Sequence, residues 1–212
     1  MLYMQKGNFQ KIVRWIAGSW MTPNMASLLG AVFIFLVTFS FYFGYTTEKY
    51  HFALLLAPLF LIFRMIMNAL DGMLAREYDN GTVAGEIANE TLDIVGDTIC
   101  YGVLFFIPEG PHLSIVILLL LSWAAEFFGV LGKGMPGGKR RHETFLGGKP
   151  DRAAWMGLLA LITFFYPTFE QYMDLYLYGV SILVFLTCIL RIRKTIEESK
   201  GQKYESYTWV GR

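Results

Sequence analysis

Long apolar runs alternate along the chain with short polar connections. Because about 20 apolar residues cross the hydrocarbon core of a bilayer as one α-helix, these runs predict membrane-spanning helices. None of them shows the alternating apolar and polar positions of a strand, so the predicted fold class is all-α. Six spans are predicted, over about 24–45, 51–76, 84–107, 112–134, 151–167 and 171–193.

Residues 1–21 precede the first span and have a different pattern. Their apolar positions recur at helical spacing, with lysine and arginine mostly on other faces: Phe9, Ile12, Val13, Ile16 and Trp20. An amphipathic helix with this pattern either lies in the cytoplasmic interface of a membrane or packs against the helical bundle. The sequence thus divides into a juxtamembrane helix (1–21), a six-helix transmembrane domain (22–195) and a cytoplasmic tail (196–212).

Composition and charge agree with a polytopic membrane protein. The 212 residues are 55% hydrophobic and 17% aromatic, and 18 Lys and Arg stand against 17 Asp and Glu. This near-zero net charge gives no reason to expect a nucleic acid partner. If both termini are cytoplasmic, every Lys and Arg except Lys49 and Arg64 lies in a cytoplasmic segment or a flanking helix end. The positive-inside rule therefore predicts an integral membrane protein with cytoplasmic N- and C-termini.

Two of the predicted spans carry polar side chains on one face. In the second span the positions of this face are four, three and four residues apart: Arg64, Asn68, Asp71 and Ala75. The corresponding positions of the third span are Glu86, Asn89, Glu90, Asp93 and Asp97. A short connection makes the two faces meet near the cytoplasmic side. Because one charged group at mid-membrane costs on the order of 2.5–3.5 kcal/mol, we expect this concentration of polar groups to have a function.

The types of residue on these faces indicate a hard metal ion. Carboxylate and carboxamide oxygens, with no His or Cys among them, suit Mg²⁺ or Mn²⁺ and not zinc. Because Mg²⁺ usually works beside a phosphate, a phosphorylated ligand is the expected partner. Gly72, Ala75 and Gly85 are small enough for a helix or a nucleotide to approach closely. Arg76 can hold a phosphate or pair with a carboxylate.

Residues 68–93 resemble the signature of the CDP-alcohol phosphatidyltransferases. That signature reads D-x-x-D-G-x-x-A-R, then eight residues, then G-x-x-x-D-x-x-x-D. The matching positions are Asp71, Gly72, Ala75, Arg76, Gly85 and Asp93. Asn68 stands where the first aspartate is expected, and Asn89 stands where the third is expected. The Thr22-Pro23-Asn24 entry to the first span, in which Thr22 can cap the helix, is also similar to the family.

The resemblance implies transfer of a phosphatidyl or phosphoalcohol group from a CDP-linked donor to a hydroxyl acceptor, with release of CMP. CDP-diacylglycerol is the favoured donor, and the acceptor is an unidentified alcohol. Asp93 would be the general base, and Mg²⁺ or Mn²⁺ would be bound by Asn68, Asp71, Asn89 and Asp93. The CDP moiety would lie near Thr22, Gly72, Ala75, Arg76 and Gly85. The resemblance also implies a homodimer, and the predicted topology places the active site near the cytoplasmic face.

The two asparagines leave several hypotheses open. The site holds one metal ion or binds two weakly, or Glu86, Glu90 or Asp97 compensates for the missing charge. Alternatively, the protein binds a CDP-lipid without turning it over. We favour an active enzyme, because Asp93 and the nucleotide-facing positions are kept. A transporter with intramembrane carboxylates is a weaker hypothesis, because the acidic residues cluster at one membrane end.

Four further charged residues have two interpretations each. Arg64 and Glu126 either pair inside the bundle or line the acceptor cavity. Lys149 and Arg152 follow Gly147-Gly148, and either contribute to the positive-inside pattern or bind a phosphate of donor or acceptor.

Overall fold

A computed structural model of the chain describes residues 21–77, 82–136 and 146–201. Those ranges contain six α-helices: α1 (Pro23–Thr46), α2 (Ala53–Glu77), α3 (Val83–Gly102), α4 (His112–Gly134), α5 (Lys149–Phe165) and α6 (Met173–Glu198). Three short 3₁₀ helices lie between them: Glu48–Tyr50, Val103–Phe106 and Pro167–Tyr172. The described residues contain no strand, which confirms the all-α prediction. The predicted juxtamembrane helix falls on residues 1–20 and Met21, of which only Met21 is described.

Side-chain caps fix where three of the helices begin. The Thr22 hydroxyl accepts a bond of 3.3 Å from the Met25 amide, and Pro23 occupies the first turn of α1, as the sequence predicts. The Thr82 hydroxyl accepts from the Gly85 amide at 3.0 Å and starts α3. At α5, the Gly148 amide donates to the Asp151 carboxylate at 3.0 Å. The cap at α5 therefore fixes where Lys149 and Arg152 stand on that helix.

Among the residues that the structure describes, four segments are long and apolar enough to cross a membrane: Pro23–Thr46, Ala53–Leu74, His112–Gly134 and Pro167–Glu198. Helix α3 is not among them because it carries several acidic residues, and α5 is shorter, with 17 residues. That these two helices also span the membrane stays a prediction. Large apolar side chains on α3 are nevertheless exposed, including Val83, Ile87 and Leu92. Such a surface suits contact with lipid or with another protein.

The six helices share one apolar core. Helix α1 packs along α2, α2 packs against α5, and α4 packs along α6, while α3 contacts α1 and α4. All six helices contribute buried side chains to this core. A second, smaller cluster of Met21, Ala26, Met67, Leu70 and Leu74 lies between α1 and α2. Its members on α2 flank Asn68 and Asp71, so apolar packing holds these two polar positions in place.

Glycines allow the closest helix approaches. A Cβ atom on Gly157 of α5 would lie 3.1 Å from the Cβ of Pro58, so α5 packs directly on the proline turn of α2. A Cβ atom on Gly147 would lie 2.6 Å from the Leu183 carbonyl oxygen and would also meet Thr187. The segment that leads into α5 is therefore pressed against the backbone of α6.

Candidate active site

Asp71 lies on α2 and faces the start of α1. Its Oδ2 accepts a hydrogen bond of 3.2 Å from the Ser27 hydroxyl, which also donates to the Pro23 carbonyl oxygen at 3.2 Å. Its Oδ1 is buried, and no hydrogen-bond donor in the described part of the chain reaches it. A buried carboxylate oxygen without a donor is costly unless a cation or a ligand group meets it. Asp71 therefore has one oxygen fixed and one available.

Asp93 lies on α3, and one of its oxygens is already bound by two donors. Asn68 Nδ2 of α2 donates to Asp93 Oδ1 at 2.9 Å. The Lys149 ammonium, from the first turn of α5, forms an ion pair with the same oxygen. Within the described ranges, no hydrogen bond or ion pair reaches the other oxygen, Oδ2. Asp93 thus has a held oxygen and an open one, and three helices meet at this carboxylate.

The orientation of the Asn68 amide follows from the chemistry of its partner. An ionised carboxylate only accepts hydrogen bonds, so the Asn68 side chain turns its nitrogen toward Asp93. Its oxygen faces α1, where a Cβ atom on Gly30 would lie 3.1 Å from it. Asn68 is therefore a donor to Asp93 in this arrangement, and Gly30 makes room for its carbonyl.

A chain of buried ion pairs lies beside the Asp71–Asp93 site. Asp97 accepts from Arg64 at 2.7 Å with one oxygen and from Arg152 at 2.9 Å with the other. Arg152 also donates to Glu126 Oε1 at 2.9 Å, and Arg191 lies 3.8 Å from that oxygen. These five side chains come from five helices, and each is at most 4% exposed. Such pairing makes their burial tolerable.

This chain of ion pairs is linked to the site through the backbone of α3. Arg64 Nη2 donates to the Asp93 carbonyl oxygen at 3.4 Å. Gly96 allows this approach, because a Cβ atom there would lie 2.7 Å from Arg64 Nη2 and 2.7 Å from Ile34 Cδ1. The Arg64 guanidinium therefore fixes the turn of α3 that carries Asp93 and Asp97.

A family model for CDP-alcohol phosphatidyltransferase matches residues 20–192, which include the two faces and all six helices up to the last turns of α6. The chain belongs to the CDP-alcohol phosphatidyltransferase family. This membership confirms the resemblance read from residues 68–93. It makes the chain an integral membrane transferase of phospholipid biosynthesis.

Two individual proteins are also similar. The chain is 38% identical over 142 residues to inner membrane protein YnbA of Escherichia coli (strain K12). The aligned region covers 67% of this chain and 70% of that protein. Its fold resembles the crystal structure of Mycobacterium tuberculosis phosphatidylinositol phosphate synthase (PgsA1) with CDP-DAG bound. That match has a TM-score of 0.67 at 18% identity and covers 93% of this chain and 98% of the other. At this identity the likeness concerns the fold.

The structure brings several of the family's signature positions together. Asn68 on α2 donates to Asp93 on α3, in agreement with the predicted meeting of the two faces, whereas Asp71 bonds to Ser27 of α1. Asn89 and Glu90 are half-buried, one turn before Asp93. Gly72 is half-buried, whereas Thr22 and Gly85 are exposed in the first turns of α1 and α3. The side chains of Ala75, Arg76 and Glu86 lie outside the described part of the molecule.

The other charged positions have partners that the sequence left open. Arg64 and Glu126 are joined inside the bundle through Asp97 and Arg152. Both oxygens of Asp97 accept bonds from arginine, so its charge is balanced without a metal ion. Arg152 is occupied in the same way. Phosphate binding by Lys149 or Arg152, and compensation by Glu90, stay predictions.

The family implies a divalent cation, and the residues present fit it unequally. Within the described ranges, no group of three or more His, Cys, Asp and Glu side chains is placed to hold a metal ion. Asp71 fits a hard cation, because its buried Oδ1 lacks a donor. Oδ1 of Asp93 fits poorly, because Asn68 and Lys149 already occupy it. The donor set therefore favours a cation at Asp71.

Sequence reasoning missed two residues of this region. Ser27 lies on α1 and bonds to Asp71 across 44 positions, and nothing in its apolar surroundings singles it out. Arg191 near the end of α6 contacts Glu126 and the Ala125 carbonyl, although it reads as one of several basic residues that flank a span. Arg191 is 4% exposed and lies on the face of α6 that points into the bundle. Its position on that helical face is the signal by which the sequence could have identified it.

Proposed function

We propose that this protein transfers a phosphatidyl group from CDP-diacylglycerol to the hydroxyl of an alcohol acceptor, with release of CMP. The observation that carries the proposal is the state of Asp93, in which Asn68 and Lys149 hold Oδ1 and leave Oδ2 open. A carboxylate held by one oxygen keeps its second oxygen oriented toward a reacting group.

The proposed reaction is a single displacement at phosphorus. The acceptor oxygen forms a bond to the lipid-bearing phosphorus of the donor, and the phosphoanhydride bond to CMP breaks. The acceptor proton passes to Oδ2 of Asp93. A bound Mg²⁺ or Mn²⁺, held first by Asp71, would polarise the phosphoanhydride and offset the charge that develops on CMP. Gly72, Ala75, Arg76, Gly85 and Thr22 are the positions proposed to surround the CDP moiety.

Two considerations support the donor and the location. The structural neighbour from Mycobacterium tuberculosis has CDP-DAG bound, and the fold of this chain resembles it. The distribution of Lys and Arg favours a site at the cytoplasmic side with both termini cytoplasmic. The family resemblance also suggests a homodimer.

The experiment that tests this function measures CMP release from defined donors. Purified protein in lipid nanodiscs would be given CDP-diacylglycerol with a panel of polar alcohols, and a CDP-alcohol with diacylglycerol, each with Mg²⁺. We expect acceptor-dependent CMP release from CDP-diacylglycerol. Release only from the CDP-alcohol would reverse the assignment of donor and acceptor.

A non-catalytic CDP-lipid-binding protein is the second candidate function. The ion pair between Lys149 and Asp93 favours it, because the ammonium occupies one oxygen of the proposed general base. CDP-diacylglycerol that binds tightly and yields no CMP with any acceptor of the panel would support this candidate. Solute uptake into liposomes would instead favour the transporter hypothesis.

A further inference from the structure

Lys149 and Asp93 form an ion pair that is largely withdrawn from solvent. The side chains are 12% and 14% exposed, respectively, and the ammonium meets Oδ1 of the carboxylate. Oδ1 of Asp93 therefore meets a fixed positive charge of the chain itself. The position of Lys149 is well defined, because it begins α5 directly after Gly147 and Gly148, which are both buried.

Asn68 changes what Asp93 requires from its surroundings. A carboxylate at position 68 would place two negative charges in hydrogen-bond contact, and only a cation between them would make that arrangement stable. The Asn68 amide instead donates to Asp93 at 2.9 Å, so the contact is attractive without any ion. The amide and the ammonium together supply two donors to Oδ1 of Asp93. A divalent cation would otherwise be needed to balance the charge of this carboxylate.

The local charge supports the same conclusion. Asp71 and Asp93 contribute two negative charges and Lys149 one positive charge, a net charge of −1, so one divalent cation brings the sum to +1 and a second brings it to +3 before the phosphates of the donor are counted. The neighbouring ion pairs do not add negative charge, because three arginines there surround Asp97 and Glu126. A second divalent ion would thus add uncompensated positive charge in a region with little water, where charges interact strongly.

We propose that Lys149, together with Asn68, takes the place of one divalent cation at Asp93, so that the active site binds a single Mg²⁺ or Mn²⁺ ion at Asp71. This inference rests on the proposed function, since it concerns the metal of the same site. It assigns Lys149 the role of a fixed cation that neutralises Asp93, in contrast to a ligand for an acceptor phosphate.

The first test counts ions on the unaltered protein. Purified protein in nanodiscs would be titrated with Mn²⁺ in the presence of CDP, and bound and free Mn²⁺ would be separated by electron paramagnetic resonance. We expect saturation at one Mn²⁺ per chain. Saturation at two ions, or no bound ion, would overturn the inference without any need for a variant.

A second test restores the carboxylates and removes the ammonium. The triple variant Asn68→Asp, Asn89→Asp, Lys149→Gln should bind two Mn²⁺ ions per chain, whereas the double variant Asn68→Asp, Asn89→Asp, which keeps Lys149, should bind one. The matched control is Lys194→Gln, which changes an exposed lysine of α6 and should leave one ion. If the folded triple variant still binds one ion, Lys149 is not what excludes the second.

CMP release measured on the same preparations separates the two proposals. Two bound ions with CMP release would overturn the inference and leave the proposed function intact. One bound ion without CMP release from any donor would support the fixed cation and contradict the transferase reaction.

Discussion

Asp97 and Arg152 form an ion pair of 2.9 Å in the middle of the bundle, and each of them also holds a second partner of opposite charge. Asp97 pairs with Arg64 at 2.7 Å, and Arg152 pairs with Glu126 at 2.9 Å. The pair therefore joins α3 to α5 and extends to α2 and α4. Because α5 also carries Lys149, which pairs with Asp93, two ion pairs hold α5 to α3.

Arg152→Met should strongly destabilise the protein. The change removes the guanidinium that Asp97 and Glu126 share, and breaking a buried ion pair from one side costs roughly 3–5 kcal/mol. Thermal unfolding in detergent, followed by circular dichroism, would measure the loss. The control is Arg193→Met, which removes an exposed arginine of α6. Equal unfolding temperatures for the two variants would contradict a structural role for the ion pairs.

Asp93→Asn should abolish CMP release and retain donor binding. The amide cannot take the acceptor proton, and loss of a general base typically lowers a rate about 10²–10⁴-fold. Single-turnover CMP release and CDP-diacylglycerol binding would be measured on the same protein. Release at the rate of the unaltered protein would show that Asp93 is not the base.

Ser27→Ala should weaken metal binding at Asp71. The Ser27 hydroxyl donates to Asp71 Oδ2 at 3.2 Å and orients the carboxylate. Removal of such a supporting donor commonly lowers metal affinity about 10–100-fold. We therefore expect the affinity for Mn²⁺ to fall about 10-fold. Titration with Mn²⁺ would measure the change. The matched control is Ser114→Ala, which removes a 2.6 Å bond to a different carboxylate, Asp174. Similar losses in both variants would mean that the effect is not specific to Asp71.

Gly96→Ala should destabilise the fold. The added methyl group would lie 2.7 Å from both Arg64 Nη2 and Ile34 Cδ1, and overpacking of this kind costs about 1–3 kcal/mol. The control is Gly179→Ala on α6, where no atom lies within 4 Å of the added carbon. That variant should be neutral or slightly more stable, because alanine favours a helix over glycine. The unfolding temperature of the Gly96→Ala variant should therefore lie below that of the Gly179→Ala variant. If the Gly96→Ala variant is as stable as the unaltered protein, close packing at Arg64 is contradicted.

The helices could be predicted from the sequence because their signals are local. Apolar runs separated by polar turns gave all six helices within a few residues, and Thr22 marked the start of α1 by its capping chemistry. The polar faces of α2 and α3 followed from spacing alone, and the contact between Asn68 and Asp93 agrees with them.

The partners of these residues could not be predicted, because they come from distant helices. Lys149 is 56 positions from Asp93, and the basic segment before α5 reads mainly as topology. Arg152 reads in the same way, although it is 1% exposed. A pairing of Arg64 with Glu126 is one of the two interpretations that the sequence allows. The sequence could not place Asp97 and Arg152 between them, since that arrangement depends on how α2, α3, α4 and α5 pack.

The close contact between Gly147 and α6 has a consequence for assembly of the protein. Lys149 and Arg152 lie just beyond this contact, so their positions depend on α6, which is synthesised after them. During synthesis, Asp93 leaves the ribosome well before Lys149, and Asp97 leaves it after Arg64 but well before Arg152, its second partner. A chain interrupted before α5 would carry Asp93, Asp97 and Arg64 but would lack Lys149 and Arg152. The candidate active site is thus completed only after α6 has been inserted.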